Sequence, residues 1–253
     1  MKARSRVDPS TTRIDNAYYD RLGDEWWSRT GEVGGLHAMN PARADYFQRS
    51  FERDGRSLAG QRLADIGCGG GILAEELSRR GASIVGADRS APSLAAAKRH
   101  ASGADAPRYV CADAMALPFA TASFDGIVSS DFLEHVHDLD AVAVEMARIV
   151  RPGGVIAFDT INRTFRARLV AIGVMEIVAR RIPRHTHDAS LFIRPEELKE
   201  SFARAGLDVK EIRGLSPVGN PLRNLVAAIR NTPLRFAVTD DTSVSYLGYA
   251  TKI

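Results

Sequence analysis

The amino-acid sequence predicts an α/β protein with an open, mostly parallel seven-stranded sheet and helices on both faces. Short apolar runs alternate with helical patterns from Arg62 onward, and a glycine-rich stretch directly follows the first of these runs. The 253 residues are 45% hydrophobic and 26% charged, which is typical of a folded globular chain. This length suits one large domain or two small ones.

The N-terminal part, residues 12–55, is predicted to form a helical cap. Ile14, Tyr18 and Leu22 recur at spacings of four, as on one face of a helix. The pair Asn40-Pro41 is expected to break this region, and a second helix is expected from about residue 43 to residue 51.

The following segment, residues 56–162, is predicted to be the core of the sheet. Val142, Met146 and Ile149 fall on one helical face, which predicts a helix over 139–150. The other helices are expected at 72–80 and from 91 to about 100. Strands are expected at 62–66, 83–87, 108–111, 124–129 and 155–159.

The C-terminal part, residues 191–253, is predicted to complete the sheet. A helix opens at Arg194-Pro195 and ends at Gly206, and strands are expected at 207–212 and 243–251. No helix is predicted between these two strands. The last strand is expected to insert antiparallel to its neighbours.

The glycine-rich stretch is the most specific motif of the chain. Asp65-Ile66-Gly67-Cys68-Gly69-Gly70-Gly71 lies where the first strand turns into a helix, so the backbone can turn sharply and a ligand can approach closely. Asp88 follows at the end of the second strand, where its carboxylate can accept both hydroxyl protons of a ribose. Asp113 follows the third strand and is placed to accept from an adenine amino group.

These residues distinguish between two adenine-containing cofactors. A nicotinamide dinucleotide site has the pattern GxGxxG, but its third glycine position, counted from Gly67, is occupied here by Ile72. Asp65, two residues before Gly67, would repel a pyrophosphate and suits a cofactor that carries an ammonium and a sulfonium. The pattern therefore favours S-adenosylmethionine (SAM), with a nicotinamide oxidoreductase as the weaker alternative.

Several flanking motifs resemble the class I SAM-dependent methyltransferases, and most closely the ubiquinone-biosynthesis O-methyltransferases, which act on polyprenyl catechols and phenols. They are Trp26-Trp27, residues 36–43 (LHAMNPAR), residues 65–75 (DIGCGGGILAE), residues 131–136 (DFLEHV), residues 160–163 (TINR), residues 186–188 (THD) and residues 192–195 (FIRP). The resemblance implies a Rossmann-like fold with a helical insertion after the fifth strand. It also implies that Arg43 holds the SAM carboxylate, that Gly67 and Gly69 lie along the cofactor, and that Ser130 touches it.

The cluster Asp131, Glu134 and His135 is the candidate catalytic group. His is the natural base near neutral pH, and a helix after the fourth strand would place all three side chains on one face. That face could bind a divalent cation that lowers the pKa of catechol oxygens, which the resemblance supports. Glu134 and His135 could equally be a structural hydrogen-bonded pair. His187, beside Asp188, is a weaker candidate for the base.

The charge is concentrated in one segment. Residues 163–184 hold six Arg and one acid, Glu176, which gives +5, whereas the whole chain has a net charge of +3. Arginines bracket an apolar stretch there, so residues 163–190 are predicted to be an insertion or lid. It would contact an anionic membrane or a lipid-like acceptor, or else form a buried lid or dimer helix. The segment lacks interleaved aromatic residues, so nucleic acid is not an expected partner.

The expected protein is thus a SAM-dependent O-methyltransferase that methylates a phenol or catechol hydroxyl of a polyprenylated quinone precursor. Two alternatives remain, an O- or N-methyltransferase of a soluble small molecule and a catalytically silent SAM-binding partner. Cys68 and Cys111 cannot form a disulfide framework, and residues 1–12 lack the apolar stretch of a signal peptide. The expected location is therefore cytoplasmic or at the membrane periphery.

Overall fold

The computed structural model of the chain describes residues 7–8, 10, 16–178, 186–230, 232 and 234–253. The described strands are β1 (Arg62–Ile66), β2 (Ser83–Asp88), β3 (Arg108–Cys111), β4 (Phe124–Ser130), β5 (Val150–Ile161), β6 (Leu207–Pro217), β7 (Phe236–Thr239) and β8 (Ser245–Lys252). They form one sheet in the order β3-β2-β1-β4-β5-β8-β6-β7. The seven predicted strands are all present, and β7 is an additional strand at the edge, paired with β6.

The centre of the sheet is parallel, as predicted. In β1, Ala64 pairs with Val85 of β2 on one side and with Ile127 of β4 on the other. Parallel strands require long crossovers, which the helices supply. Because the strand order reverses at β1, the carboxyl ends of β1 and β4 flank a crevice, the usual place for a ligand in such sheets.

The last strand is antiparallel, which confirms the prediction. β8 inserts between β5 and β6, and Phe158 of β5 pairs with Gly248 of β8. A Cβ at Gly248 would lie 2.3 Å from the carbonyl oxygen of Glu211 in β6, so the close approach of β8 and β6 requires a glycine.

Helices cover both faces of the sheet. They are α1 (Tyr18–Arg21), α2 (Gly34–Phe51), α3 (Ile72–Arg79), α4 (Ala91–His100), α5 (Leu139–Ile149), α6 (Phe165–Arg168), α7 (Pro195–Arg204) and α8 (Pro221–Ile229). One core contains Met146 of α5 and Phe202 of α7, and a second contains Phe47 of α2 and Leu77 of α3. All four side chains are fully buried.

The N-terminal region differs from its prediction. α2 runs through Pro41 instead of starting after it. The proline removes one backbone donor from the helix. Packing compensates for this, because Phe47 and Phe51 of the same helix are buried and Asn40 donates from Nδ2 to the carbonyl of Ile72. A local propensity was therefore overridden by tertiary contacts.

Two further elements bear on the site. A π-helix, Leu169–Val178, follows α6 within the predicted insertion, whereas residues 179–185 lie outside the described residues. α8 contradicts the expectation that no helix joins the last two predicted strands. Within the described residues, no helix combines the length and the apolar character needed to span a membrane.

Candidate active site

The glycine loop joins β1 to α3 and is folded tightly against its neighbours. Gly67 and Cys68 both donate their amide protons to the carbonyl of Ala87, and Gly67 has a φ of +78°, in the left-handed region that favours glycine. A Cβ at Gly67 would lie 2.2 Å from the Phe132 ring, and one at Gly70 would lie 2.4 Å from the Trp26 ring. Two aromatic rings therefore press directly on this loop.

Three acids lie along the same edge of the sheet, as predicted. Asp65 lies in β1, two residues before Gly67. It is 1% exposed, and its Oδ2 has no hydrogen-bond partner. Burial, followed by the charge of Asp88, raises the pKa of Asp65 to about 7. Asp88 accepts from the amides of Gly69 and Ser90 at 2.9 and 2.8 Å. Asp113 is more exposed and accepts from the amide of Met115.

Arg43 of α2 reaches into this acidic edge. Its Nη2 donates to Oδ2 of Asp131 at 2.5 Å and to Oδ2 of Asp159 at 2.9 Å. The Arg43 side chain is 4% exposed and that of Asp159 is 2% exposed, so one buried cation serves two carboxylates. Burial raises the pKa of Asp159, and the proximity of Asp131 raises it further, although Arg43 opposes both effects. Oδ1 of Asp159 and Nε of Arg43 have no hydrogen-bond partner.

A single cavity of about 1510 Å³ joins these residues to an apolar region. The acidic part contains Asp65, Asp88 and Asp113 together with Arg43 and Ser130. We call the part next to the π-helix, β6, α8 and β7 the apolar part. Its lining includes Val170, Ala171, Met175, Leu215, Pro217, Leu225, Ala228, Leu234 and Phe236, together with the polar Ser216, Asn224 and Thr239. The volume exceeds the 300 to about 1,000 Å³ that is usual for one small ligand.

The comparisons with known proteins agree with this geometry. Residues 64–158 match a family model described as a methyltransferase domain. The ubiquinone biosynthesis O-methyltransferase of Rhizobium johnstonii is 40% identical over 229 residues, covering 86% of this chain and 92% of that protein. The one from Paracidovorax citrulli is 38% identical and covers 95% and 97%. This chain belongs to the ubiquinone biosynthesis O-methyltransferase family.

Solved structures support the fold of this methyltransferase. A possible histamine N-methyltransferase from Thermotoga maritima matches with a TM-score of 0.63 at 16% identity, over 93% of this chain and 98% of that one. The magnesium protoporphyrin IX methyltransferase from Synechocystis, solved with bound SAM, matches with a TM-score of 0.61 at 15% identity, over 93% and 94%.

SAM is the cofactor of this methyltransferase, and the acidic edge suits it. Asp65 offers a buried carboxylate oxygen without a partner, which can accept from an ammonium group. Asp88 uses one hydrogen bond at each carboxylate oxygen and keeps acceptor capacity at both for hydroxyl groups. Bound SAM would supply an electrophilic methyl group on a sulfonium.

The segment after β4 does not form the helical face that the sequence predicted. Asp131 has a φ of +45°, an uncommon value for a residue with a Cβ, and only residues Leu133–His135 form a short 3-10 turn. Asp131 therefore turns toward Arg43, whereas Glu134 accepts from the hydroxyl of Thr160 at 2.7 Å. Because the chain after β4 is not an α-helix, Asp131, Glu134 and His135 do not share one helical face.

This segment also does not fit the predicted divalent-cation site. Among the described residues, no three His, Cys, Asp or Glu side chains are grouped so that they could hold a metal ion. Asp131, Glu134 and His135 instead have separate partners: Arg43, Thr160 and Tyr19 respectively. No metal-dependent step is derived from this arrangement.

His135 is deeply enclosed. Its Nε2 lies 3.3 Å from the hydroxyl of Tyr19, and its Nδ1 is buried with no hydrogen-bond partner. Burial, followed by the nearby His187, lowers the pKa of His135 to about 3, so the ring stays neutral around neutral pH. Burial and the neighbouring Asp131 raise the pKa of Glu134. His135 and Glu134 both line the cavity.

Several residues of the site were not identified from the sequence. Asp159 stands at the end of β5, and its position matches the strand-end rule that identified Asp65, so the pattern could have found it. Trp26 was noted only as part of a motif, yet it covers the glycine loop and donates from Nε1 to the hydroxyl of Ser93. The contact between Glu176 and His187 joins residues eleven positions apart, and no motif in the sequence indicates it.

Proposed function

We propose that this methyltransferase transfers the methyl group of SAM to a phenol or catechol hydroxyl of a polyprenylated quinone precursor. The observation that carries the proposal is the continuity of the cavity from the acidic edge into an apolar region. A polar head group beside the cofactor and a hydrocarbon tail in the apolar region would use both parts. The names of the relatives, which refer to ubiquinone biosynthesis, support the same substrate class.

Arg43 is proposed to bind the SAM carboxylate. In the structure its Nη2 is shared by Asp131 and Asp159, whereas its Nε donates to nothing. An incoming carboxylate can use that free donor and displace Asp131, which is the more exposed acid at 23%. The net charge of the acidic edge favours a cofactor that is cationic overall.

The remaining contacts follow from the acidic edge. Asp65, Gly67 and Gly69 would surround the methionine part, Asp88 the ribose and Asp113 the adenine, with Ser130 at the end of β4 beside them. Asp131, Glu134 and His135 would form the wall between the cofactor and the acceptor. Their part in catalysis stays a prediction that substitution of each residue would test. The division of the chain into a cap, a core, an insertion and a C-terminal part also stays a prediction.

We also propose that the apolar end of the cavity faces an anionic membrane surface. Phe165 and Leu169, at the start of the insertion, are 83% and 54% exposed. Leu222, Val226 and Ile229 of α8 are 73%, 45% and 48% exposed, and α8 packs beside the π-helix. Arg168 of α6 and Arg223 and Arg230 at α8 add positive charge to this apolar surface, whereas Arg166 is paired with Asp241. Apolar side chains with flanking arginines are typical of an interfacial element.

Vesicle sedimentation tests the membrane proposal. The wild type is expected to sediment with vesicles that contain anionic lipid, and less so at high salt. A variant with Leu222, Val226 and Ile229 all changed to Ser is expected to stay in the supernatant. The control Val144→Ser removes an equally exposed apolar residue from α5 and should sediment like the wild type. Equal sedimentation of all three proteins would contradict the role of α8.

Methyl transfer from labelled SAM tests the reaction itself. The acceptors are a polyprenyl catechol, a short catechol and a primary amine of similar size, and the product is assigned by NMR. The proposal predicts an O-methyl ether from the catechols. Label in the amine alone would identify an N-methyltransferase, and bound SAM without transfer to any acceptor would identify a silent SAM-binding protein.

A further inference from the structure

A histidine–carboxylate pair lies within the predicted insertion, and its histidine lines the cavity. Glu176, on the π-helix Leu169–Val178, is 4% exposed. Its Oε1 lies 3.1 Å from Nδ1 of His187 and accepts from the backbone amide of the same residue at 2.9 Å. The two contacts fix both the backbone and the ring of His187 relative to the π-helix.

The pair selects one tautomer of His187. A carboxylate only accepts hydrogen bonds, so Nδ1 must carry the proton that it donates to Glu176. Nε2 then keeps its lone pair and can accept a proton. Neighbouring rings hold this orientation, because the His187 ring meets Phe192 edge to face at 6.1 Å and the His135 ring at 5.9 Å between centroids.

His187 is better placed than His135 to take up a proton. His135 is partly buried, its Nδ1 has no hydrogen-bond partner, and its Nε2 is already engaged with Tyr19. Among the described residues, no carboxylate accepts a hydrogen bond from His135, and Asp131 acts on it only through its charge, whereas Glu176 contacts Nδ1 of His187 directly. The His187 side chain is 14% exposed and lines the same cavity as His135, the glycine loop and Met175 of the insertion.

We propose that His187, oriented by Glu176, is the general base that takes the proton from the acceptor hydroxyl, an inference that rests on the proposed function. The O–H bond breaks, and its proton passes to Nε2 of His187. The oxygen bonds to the methyl carbon as the carbon–sulfur bond breaks, and that electron pair stays on sulfur to leave S-adenosylhomocysteine. The imidazolium ion, stabilised by Glu176, then returns its proton to water.

This assignment couples catalysis to the insertion. Glu176 belongs to the segment that also supplies Val170 and Met175 to the apolar part of the cavity. Displacement of the π-helix would both remove the counter-charge of His187 and open the apolar part of the cavity. Glu176 is therefore a positioning residue, and His187 is the residue that touches the acceptor.

The test compares His187→Ala and His135→Ala with two acceptors. One is an ordinary catechol, and the other is a nitrocatechol whose hydroxyl is already largely ionised near neutral pH. We expect His187→Ala to lower kcat for the catechol by about 100-fold or more and for the nitrocatechol only slightly, because a phenolate needs no base. Added imidazole should restore part of the activity of His187→Ala and none of that of His135→Ala. SAM affinity, measured by calorimetry, should change by less than about threefold.

Two results would overturn the assignment. Equal losses with both acceptors and no recovery with imidazole would make His187 structural, and recovery only in His135→Ala would move the base to His135. Both results require a wild-type protein that methylates the catechol. If instead the wild type binds SAM and methylates no phenol, the proposed function itself fails.

The role of Glu176 has a readout that is independent of turnover. Nitrogen NMR of labelled histidine, assigned with His187→Asn, should show the Nδ1–H tautomer of His187 in the wild type. Glu176→Gln should lose this preference and lower kcat about tenfold with little change in KM, because Gln donates as well as accepts. Glu176→Asp should recover part of both. An unchanged tautomer in Glu176→Gln would contradict the pair as described.

Discussion

Replacing Asp65 by Asn is expected to stabilise the ligand-free protein and to weaken SAM binding. Asp65 is 1% exposed, its Oδ2 has no partner, and its pKa rises from 3.8 to about 7 through burial and the charge of Asp88. The folded protein therefore binds this proton more tightly than the unfolded chain. Its ionisation costs stability that grows as pH rises from about 4 and is complete above about pH 7.

The magnitude follows from the shift of about three pKa units. Each unit corresponds to about 1.4 kcal/mol, so ionised Asp65 costs roughly 4 kcal/mol of folding free energy at pH 8. At pH 5 the cost falls to roughly 2 kcal/mol, because the folded form is then protonated while the unfolded form is ionised. The stability difference between Asp65→Asn and wild type should thus be about 2 to 3 kcal/mol larger at pH 8 than at pH 5.

Urea unfolding at both pH values measures this difference, and calorimetry measures SAM affinity. Asp208→Asn is the control, because Asp208 is half exposed on β6 beside Lys210 and should give the same difference at both pH values. SAM affinity at pH 8 is expected to fall by about 10-fold or more in Asp65→Asn, because the variant loses a charge-assisted hydrogen bond. A variant less stable at pH 8 than at pH 5 relative to wild type, or one with unchanged SAM affinity, would refute the reasoning.

The remaining predictions concern the loop and the buried cation. Arg43→Met should lower the free energy of unfolding by about 3 to 5 kcal/mol, since Asp131 and Asp159 lose their cation, and adding Asp159→Asn should recover part of it in a double-mutant cycle measured with urea. Strictly additive effects would mean that Arg43 and Asp159 are not coupled. Gly67→Ala should cost about 1 to 3 kcal/mol, because its φ is +78° and its Cβ would lie 2.2 Å from Phe132. Thermal unfolding and SAM titration check this, and a neutral effect on both would contradict the packing of Phe132 on the loop.

Much of the fold follows from local signals. β1 has the predicted bounds Arg62–Ile66, because an apolar β-rich run ends directly at a glycine turn. α8 was missed although Asn220, Pro221 and the spacing of Leu222, Leu225, Val226 and Ile229 form a capped amphipathic helix. β7 has only four half-buried residues, and its pairing with β6 is decided by tertiary contacts that no short window contains.

Some residues of the candidate site could be located from the sequence and others could not. Asp65, Asp88 and Asp113 could be located because parallel strands bring their carboxyl ends to one edge of the sheet. The shape of the chain after β4 could not, because a 3-10 turn and a left-handed Asp131 replace the expected helix. Glu176 contacts His187 within the same insertion, but eleven residues separate them and no helical or strand period predicts a contact at that spacing.

The most direct test of the account is the ratio of kcat/KM for a polyprenyl catechol to that for the same head group without a tail. Each buried CH₂ contributes about 0.8 kcal/mol, so a tail held in the apolar part of the cavity should raise the ratio by at least about 10-fold. The ratio should fall when Met175 and Leu225, which line that part, are changed to Ser. A ratio of one or below, measured with both acceptors fully dispersed, would contradict the assignment of the cavity to a polyprenylated acceptor.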